Sequence, residues 1–358
     1  MKESIKIFAD DLDSNGKKQI KDLANSPLMK GQKLRIMPDA HSGAGCVIGT
    51  TLTFDDKICP NIVGVDIGCG MLVGELGELD IPLKGLDFFI RQEIPSGFQV
   101  HHRATDDTNL VSKLRCFEEL EHVDRIYRSL GTLGGGNHFI EINEDTMKNK
   151  YLVIHTGSRN LGKQVADIYQ RKGKKENPYG NLSFITGRLL EDYLHDMEIT
   201  QTWASYNRKL IFEKIKKFLY GKGQNGIKTW ETIHNYVCLE DKIIRKGAIR
   251  AKKGERVLIP LNMKEGSLIC TGKGNPDWNY SAPHGAGRVL SRRQAKKHLS
   301  TKSFLKEMEG IYTTTANKKT LDEAPMAYKD SKKIINAIGD SVDIEEQIRP
   351  IYNFKSVE

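Results

Sequence analysis

The segment Val63-Gly64-Val65-Asp66-Ile67-Gly68-Cys69-Gly70-Met71 puts a carboxylate and a thiol three residues apart in otherwise apolar sequence. A buried carboxylate is costly unless it is paired or binds a metal. Glycine on both sides of Cys69 leaves room for an ion to approach. A capping Asp and a core Cys would account for either residue alone. Histidines enlarge the set. Of the ten in the chain, His138, His155, His234 and His284 sit beside Gly, Asn or Thr at expected strand edges. A single histidine there is usually a hydrogen-bonded core residue. Four of them with Asp-x-x-Cys make a donor set of metal-binding type. Imidazole and thiolate suit Zn(II) or another late transition metal, and the carboxylate tolerates Mn(II). The spacing matches no zinc finger, so a catalytic site with open positions is expected.

His284 differs from the others. It lies in Pro283-His284-Gly285-Ala286-Gly287-Arg288, ahead of what reads as a helix start at Arg288. A helix N-terminus offers free N–H groups and a positive dipole end to a phosphate. Arg288 and Arg292 are spaced to share one helix face. The pattern predicts an imidazole nucleophile beside a phosphate cradle, against the plainer alternative of a solvated basic helix. No GxxxxGK[ST], HExxH or GxSxG occurs. Gly221–Gly226 fits GxGxxG but follows a helix and is read as a flexible turn.

These residues need a scaffold. The chain has 358 residues, 38% hydrophobic and 28% charged, a globular balance long enough for a full core. No apolar run reaches a membrane-spanning length, and the N-terminus carries no export pattern. The six scattered cysteines therefore read as reduced thiols in a cytoplasmic protein. The net charge of +9 suits a polyanionic partner, though plain solubility explains it as well. Helices are expected at 14–26, 109–129, 182–220 (as two), 288–298, 302–309 and 332–338. Strands are expected at 34–37 (stopped by Pro38), 46–54, 61–76, 139–142, 151–155, 232–239, 243–250, 257–259 and 267–270. Arg208, Lys209, Lys214, Lys216 and Lys217 read as a solvated basic face. Helices and strands mix without a βαβ rhythm, which predicts one α+β domain over 1–358, with central sheets flanked by helices.

Seven segments, in order, carry a resemblance. Met37-Pro38-Asp39-Ala40-His41, Val65–Gly70, Gly134–His138, His155-Thr156-Gly157-Ser158-Arg159, His234-Asn235, Pro283–Arg288 and Ala327-Tyr328-Lys329-Asp330 together resemble the RtcB family of RNA ligases, over roughly residues 33 to 355. The resemblance implies joining of RNA 3′-phosphate or 2′,3′-cyclic phosphate ends to 5′-hydroxyl ends, in RNA repair or tRNA splicing, with GTP and Mn(II). One or two ions are implied, with Zn or Co as substitutes. By motif, Asp66, Cys69, His138, His155 and His234 would hold metal, with Cys69 able to bridge. His284 would take GMP from GTP. Asn137, His138, Glu141, Met263, Ser267, Gly285, Ala286, Gly287, Tyr328 and Lys355 would surround the nucleotide, and Arg288 and Arg292 would meet RNA phosphates. Asp39 and His41 would lie nearby. An archease-like activator is left open, and no membrane partner is implied. Because metal ligands must be deprotonated, activity is expected to fall in mild acid.

Two departures stand out. A loop usually written Pro-Gly-Ser-Met-Gly reads Pro260-Leu261-Asn262-Met263-Lys264-Glu265-Gly266-Ser267. The usual Lys-Gly ending is replaced by Lys355-Ser356-Val357-Glu358. A metal-dependent RNA-end phosphoesterase and a non-catalytic RNA-binding relative are the competing readings. Labelled GTP separates the first from a ligase, and metal analysis separates the second.

Overall fold

Alternating apolar side chains along Gly70–Gly77, Phe139–Glu144 and Lys150–Thr156 build the main sheet. The computed structural model describes residues 4–104, 109–221 and 226–356. In it these strands lie within a seven-stranded antiparallel sheet. Its order is Arg256–Asn262, Gly266–Gly272, Val342–Lys355, Phe139–Glu144, Lys150–Thr156, Gly70–Gly77 and Thr229–Ile233. Successive side chains leave on opposite faces. Leu72, Ile140, Ile142, Leu152 and Ile154 pack with Leu86 and Ile90 of helix Leu83–Glu93 and with Ile211, Phe212 and Ile215 of helix Gly187–Tyr220. Met71, Val73, Phe139 and Val153 pack on the other face with Leu258, Ile269 and Ile348. On that face the register sets Met71 opposite His155, His155 opposite Phe139, and Phe139 opposite Lys355.

A second sheet runs Ile5–Ile7, Leu34–His41, Ile48–Thr53, Ile243–Lys246 and Asn235–Cys238, parallel only at its first pairing. The edge strands Thr229–Ile233 and Asn235–Cys238 belong to different sheets and are separated by His234 alone. One imidazole thus sits where the two sheets join. A small ribbon, Ala248–Arg250 with Ser281–Pro283, delivers His284 to the same place. The architecture is α+β, as expected. Among the described residues no helix is long and apolar enough to cross a membrane.

Several local expectations are corrected. Pro38 does not stop its strand, which continues to His41 through a register shift between Ile36 and His41. Residues 61–69 are turns, and only Gly70–Gly77 is strand. Residues 109–129 form two 3₁₀ turns and the short helix Val123–Arg128. There the buried Asp196 carboxylate accepts from the Arg115 and Cys116 amides (2.7 and 3.0 Å), so those amides need no helical partner. The 187–220 region is one 34-residue helix, with neither Gly nor Pro after Gly187 to interrupt it. The long strand Val342–Lys355 was not anticipated. The GxGxxG segment lies largely outside the described residues.

Arg208 is the largest departure from the expected solvated face. It is fully buried, and its guanidinium donates to the carbonyls of Gly68 (2.7 Å) and Thr156 (2.8 Å) and to Glu231 (2.9 Å). The planar fork ties the residue before Cys69 to the residue after His155. Arg208→Met should cost about 3 kcal/mol or more in urea unfolding, because Glu231 and two carbonyls lose their donor. Arg208→Lys should recover little of it, while Lys209→Ala, on the exposed side, should stay within about 0.5 kcal/mol of the parent.

Candidate active site

Antiparallel order alone gathers the donors. Cys69 and His138 immediately precede Gly70–Gly77 and Phe139–Glu144, His155 is near the end of Lys150–Thr156, and His234 follows Thr229–Ile233. Neighbouring strands alternate in direction, so two starts and two ends meet at one end of the sheet. The turn from Asp66 is fixed by three backbone bonds: Cys69 N–H to Asp66 O (3.1 Å), Gly68 N–H to Asn235 O (2.7 Å) and His234 N–H to Cys69 O (2.9 Å). The glycines flanking Cys69 do not make room for an ion as expected. A Cβ on Gly68 would fall 2.8 Å from the Ala204 methyl, and one on Gly70 would fall 2.6 Å from the Thr232 carbonyl, so both allow close backbone packing.

Two donor triads result, Asp66/Cys69/His138 and Cys69/His155/His234, each with ligand atoms within 4.8 Å of one another. Cys69 Sγ lies 3.5 Å from His138 Nε2 and 3.3 Å from His155 Nε2. His155 Nε2 lies 3.4 Å from His234 Nε2, and His138 Nε2 lies 2.9 Å from Asp66 Oδ2. The outer nitrogens of two rings meet carbonyls: His138 Nδ1 at Leu133 O (2.8 Å) and His155 Nδ1 at Asn137 O (3.3 Å). A carbonyl only accepts, so each Nδ1 carries the hydrogen and each Nε2 turns a lone pair inward. Thiol, imidazole and carboxylate donors gathered this closely are the ligand types a transition metal takes. The donor set therefore fits a metal ion in each triad.

Electrostatics point the same way. Burial, reinforced by neighbouring imidazoles and Lys355, holds His155 well below the ordinary histidine value. Burial with His284 and His155 does the same to His234. Burial and then Asp66 push the Cys69 thiol well up. His155 and His234 are thus neutral and ready to ligate.

His284 stands beside this cluster, its ring 5.0 Å from that of His234. Its Nδ1 lies 2.6 Å from Oδ2 of the fully buried Asp39. Asp39 as a carboxylate can only accept, so Nδ1 holds the hydrogen and Nε2 keeps a free lone pair. Gly287 lets the Asp39 backbone approach, since a Cβ there would fall 2.3 Å from Asp39 O. Lys329, buried, donates to Ala40 O (3.1 Å) and pairs with Asp11 (2.5 Å), bracing the strand that carries Asp39.

A cleft opens from His284, and most of the expected nucleotide residues line it: Asn137, Glu141, Met263, Gly285, Ala286, Gly287, Tyr328 and Lys355, with His41, Arg288 and Arg292. His138 lies instead in the donor cluster. Ser267 is buried on Gly266–Gly272 and does not line the cleft; its neighbour Gly266 does. The phosphate cradle is corrected. Arg288 is bridged to Tyr328 and residues 289–290 bend, their amides both bonded to Ala327 O. The helix begins only at Arg292, behind a Ser291/Gln294 capping box. Arg288 and Arg292 do not share a helix face, yet both converge on Glu323, at 3.2 and 3.7 Å.

Glu323 gave no signal in the sequence. Burial would raise its pKa, but Lys355, Arg292 and Arg288 outweigh this and hold it at about 2. It also accepts from Tyr328 Oη at 2.6 Å. Asn353, opposite Glu141 in the sheet, was missed with its strand, and it donates to Glu141 at 2.5 Å.

The family model described as tRNA-splicing ligase RtcB matches residues 19–120 and 112–356. The chain belongs to the RtcB family of RNA ligases. It is 31% identical to "RNA-splicing ligase RtcB1" of Escherichia coli strain ATCC 25922, covering 95% of this chain and 94% of that protein. It is 30% identical to "RNA-splicing ligase RtcB" of E. coli K12 over the same shares. With "tRNA-splicing ligase RtcB" of Aeropyrum pernix it shares 31% identity, covering 92% of this chain and 89% of that protein.

Two tests follow from the geometry. Cys69 serves both triads, so Cys69→Ala should lower bound transition metal at least roughly tenfold by elemental analysis, whereas His284→Ala should load normally. Glu141 reports through pH. Burial raises its pKa to about 7, against the opposing contacts of Asn143, Lys355 and Asn353. Below about 4.5 the folded and unfolded states are both protonated. Between there and about 7 only the folded state keeps the proton, so wild type should lose stability as pH rises. The loss should reach at most about 3 kcal/mol. Glu141→Gln should flatten that slope in unfolding measurements at pH 5 and 8.

Proposed function

We propose that this RtcB-family ligase is GTP-dependent and joins RNA 3′-phosphate or 2′,3′-cyclic phosphate ends to 5′-hydroxyl ends through guanylylated His284. One observation carries the reading: the free Nε2 of a ring oriented by Asp39 lies beside a Cys69-centred donor cluster, at the mouth of a cleft lined by Glu141, Tyr328 and Lys355. Asp66, Cys69, His138, His155 and His234 would hold one or two ions, Mn(II) by family, which when bound offset charge on phosphate and on departing pyrophosphate.

The chain's own residues do the rest. His284 Nε2 gives its lone pair to the α-phosphorus of GTP, the bond to pyrophosphate breaks, and Asp39 stabilises the charge that develops on the ring. An RNA 3′-phosphate oxygen then takes GMP from the histidine, and a 5′-hydroxyl attacks that phosphate and expels GMP. A cyclic end is first opened by water. Glu141 offers acceptors to a guanine N1–H and amino group, which adenine lacks at the corresponding N1 and exocyclic positions. Tyr328 supplies a flat surface for the base. Arg288, Arg292 and Lys355, already gathered by Glu323, give the cleft its positive field without moving on substrate arrival. One domain over 1–358, acting in the cytoplasm in RNA repair or tRNA splicing, fits this reading.

The test uses α-labelled GTP with Mn(II), followed by two RNA fragments bearing the stated ends. Wild type should hold label on His284 and join the fragments. His284→Ala should do neither while retaining metal, and Asp39→Asn should label at least roughly tenfold more slowly through loss of the productive tautomer. Removal of the 3′-phosphate with no label on the protein would replace the ligase with a phosphoesterase.

A further inference from the structure

Beyond the nucleotide cleft, an aromatic ring stands in solvent for no reason of folding. Phe98 is 81% exposed. With Lys318 and Lys319 it lines a groove whose floor is Ile94 and Phe354. Both lysines are exposed, and neither forms an ion pair with a described residue. Phe354 and Lys355 are adjacent on one strand and so face opposite ways: Phe354 walls the groove and Lys355 the nucleotide cleft.

The turn that presents Phe98 is held firmly against the site. Ser96 bridges to Gly134, and the Gly97 amide donates to Gly134 O at 2.8 Å. Arg159 donates to Gly97 O at 3.1 Å, and Arg125 donates to Phe98 O. Gly134 leads into Asn137 and His138, and the Arg159 guanidinium lies directly on Gly134, where a Cβ would fall 1.6 Å from its Nη1. Cationic groups thus run from the metal-type site to the exposed ring, with two free lysines beyond it.

A rigid aromatic face flanked by lysines fits the chemistry of an unpaired nucleic acid strand: a base stacks on the ring and phosphates lie against the ammonium groups. We propose that this groove binds single-stranded RNA leading to the joining site, with Phe98 stacking one base and Lys318 and Lys319 holding phosphates. The proposal rests on the RNA-ligase reading above and deepens it. An apolar peptide would use the floor of the groove but has no need of two unpaired lysines beside it.

The experiment measures binding of a fluorescent single-stranded RNA dodecamer with a 3′-phosphate, and of a blunt duplex of the same sequence, across a salt series. Phe98→Ala should weaken the single strand roughly five- to a hundredfold, and Phe98→Trp should retain it. Lys318→Ala with Lys319→Ala should reduce the slope of log affinity against log salt by about 1.4. The Phe98 side chain is mostly exposed, and a thermal melt of each variant checks that the fold is retained. Single-strand binding within twofold of wild type in Phe98→Ala, an unchanged salt slope, or an equal loss for the duplex would each overturn the proposal. Wild-type labelling by GTP is scored separately. Label together with Phe98-independent RNA binding sinks the groove alone, and Phe98-dependent binding without label sinks the ligase chemistry and leaves the groove.

Discussion

Metal-type donors that converge at one end of the sheet are the constraint around which the molecule is built. Leu133 O and Asn137 O orient His138 and His155, so both rings aim Nε2 at Cys69. Such a set is unfavourable as a packing arrangement and favourable as a ligand shell. Its tolerance depends on rigid surroundings, and Arg208 supplies them from behind by joining the Cys69 turn to the end of the His155 strand. The functional donors and the hidden guanidinium that braces them are one structural problem with one solution.

The cleft beside His284 follows a different logic. There the problem is to hold several cations close together. Glu323 solves it by drawing Lys355, Arg288 and Arg292 toward a single buried carboxylate. The field of the three cations outweighs full burial and holds the Glu323 pKa low. The three cations are thereby oriented by the fold itself.

Chemistry-bearing residues were legible because their types are rare in apolar sequence: Asp66, Cys69 and the four histidines did come together. Their supports were not. Arg208 lies on an otherwise basic helix face, and nothing local distinguishes an arginine that will be buried against carbonyls from one facing water. The strand Val342–Lys355 was hidden by the charges of Asp343, Glu345 and Glu346 and by Pro350, since residues 343–345 are exposed and its last four residues are all buried, so no regular alternation marks it. With it went Asn353, the direct partner of Glu141. The helix expected from Arg288 failed because pairing with 327–328 competes for the same backbone, a tertiary effect that spacing does not encode.

The altered 260–267 loop shows how a family site absorbs sequence change. The hairpin from Arg256–Asn262 to Gly266–Gly272 closes with Asn262 Oδ1 accepting from the Lys264 and Glu265 amides, at 2.9 and 3.0 Å. That side-chain turn does locally what extra glycines would otherwise allow. Met263, at its tip, is buried against Phe304 and Met308 while also lining the cleft, so the hairpin is anchored to helix Thr301–Glu307. Gly266 keeps φ +75°, and a Cβ there would strike Ile348 O at 2.1 Å, so this position cannot drift with the rest. The cleft wall is therefore set by one glycine, one methionine and the strand beneath them, and the residues between are free to change as long as the turn closes.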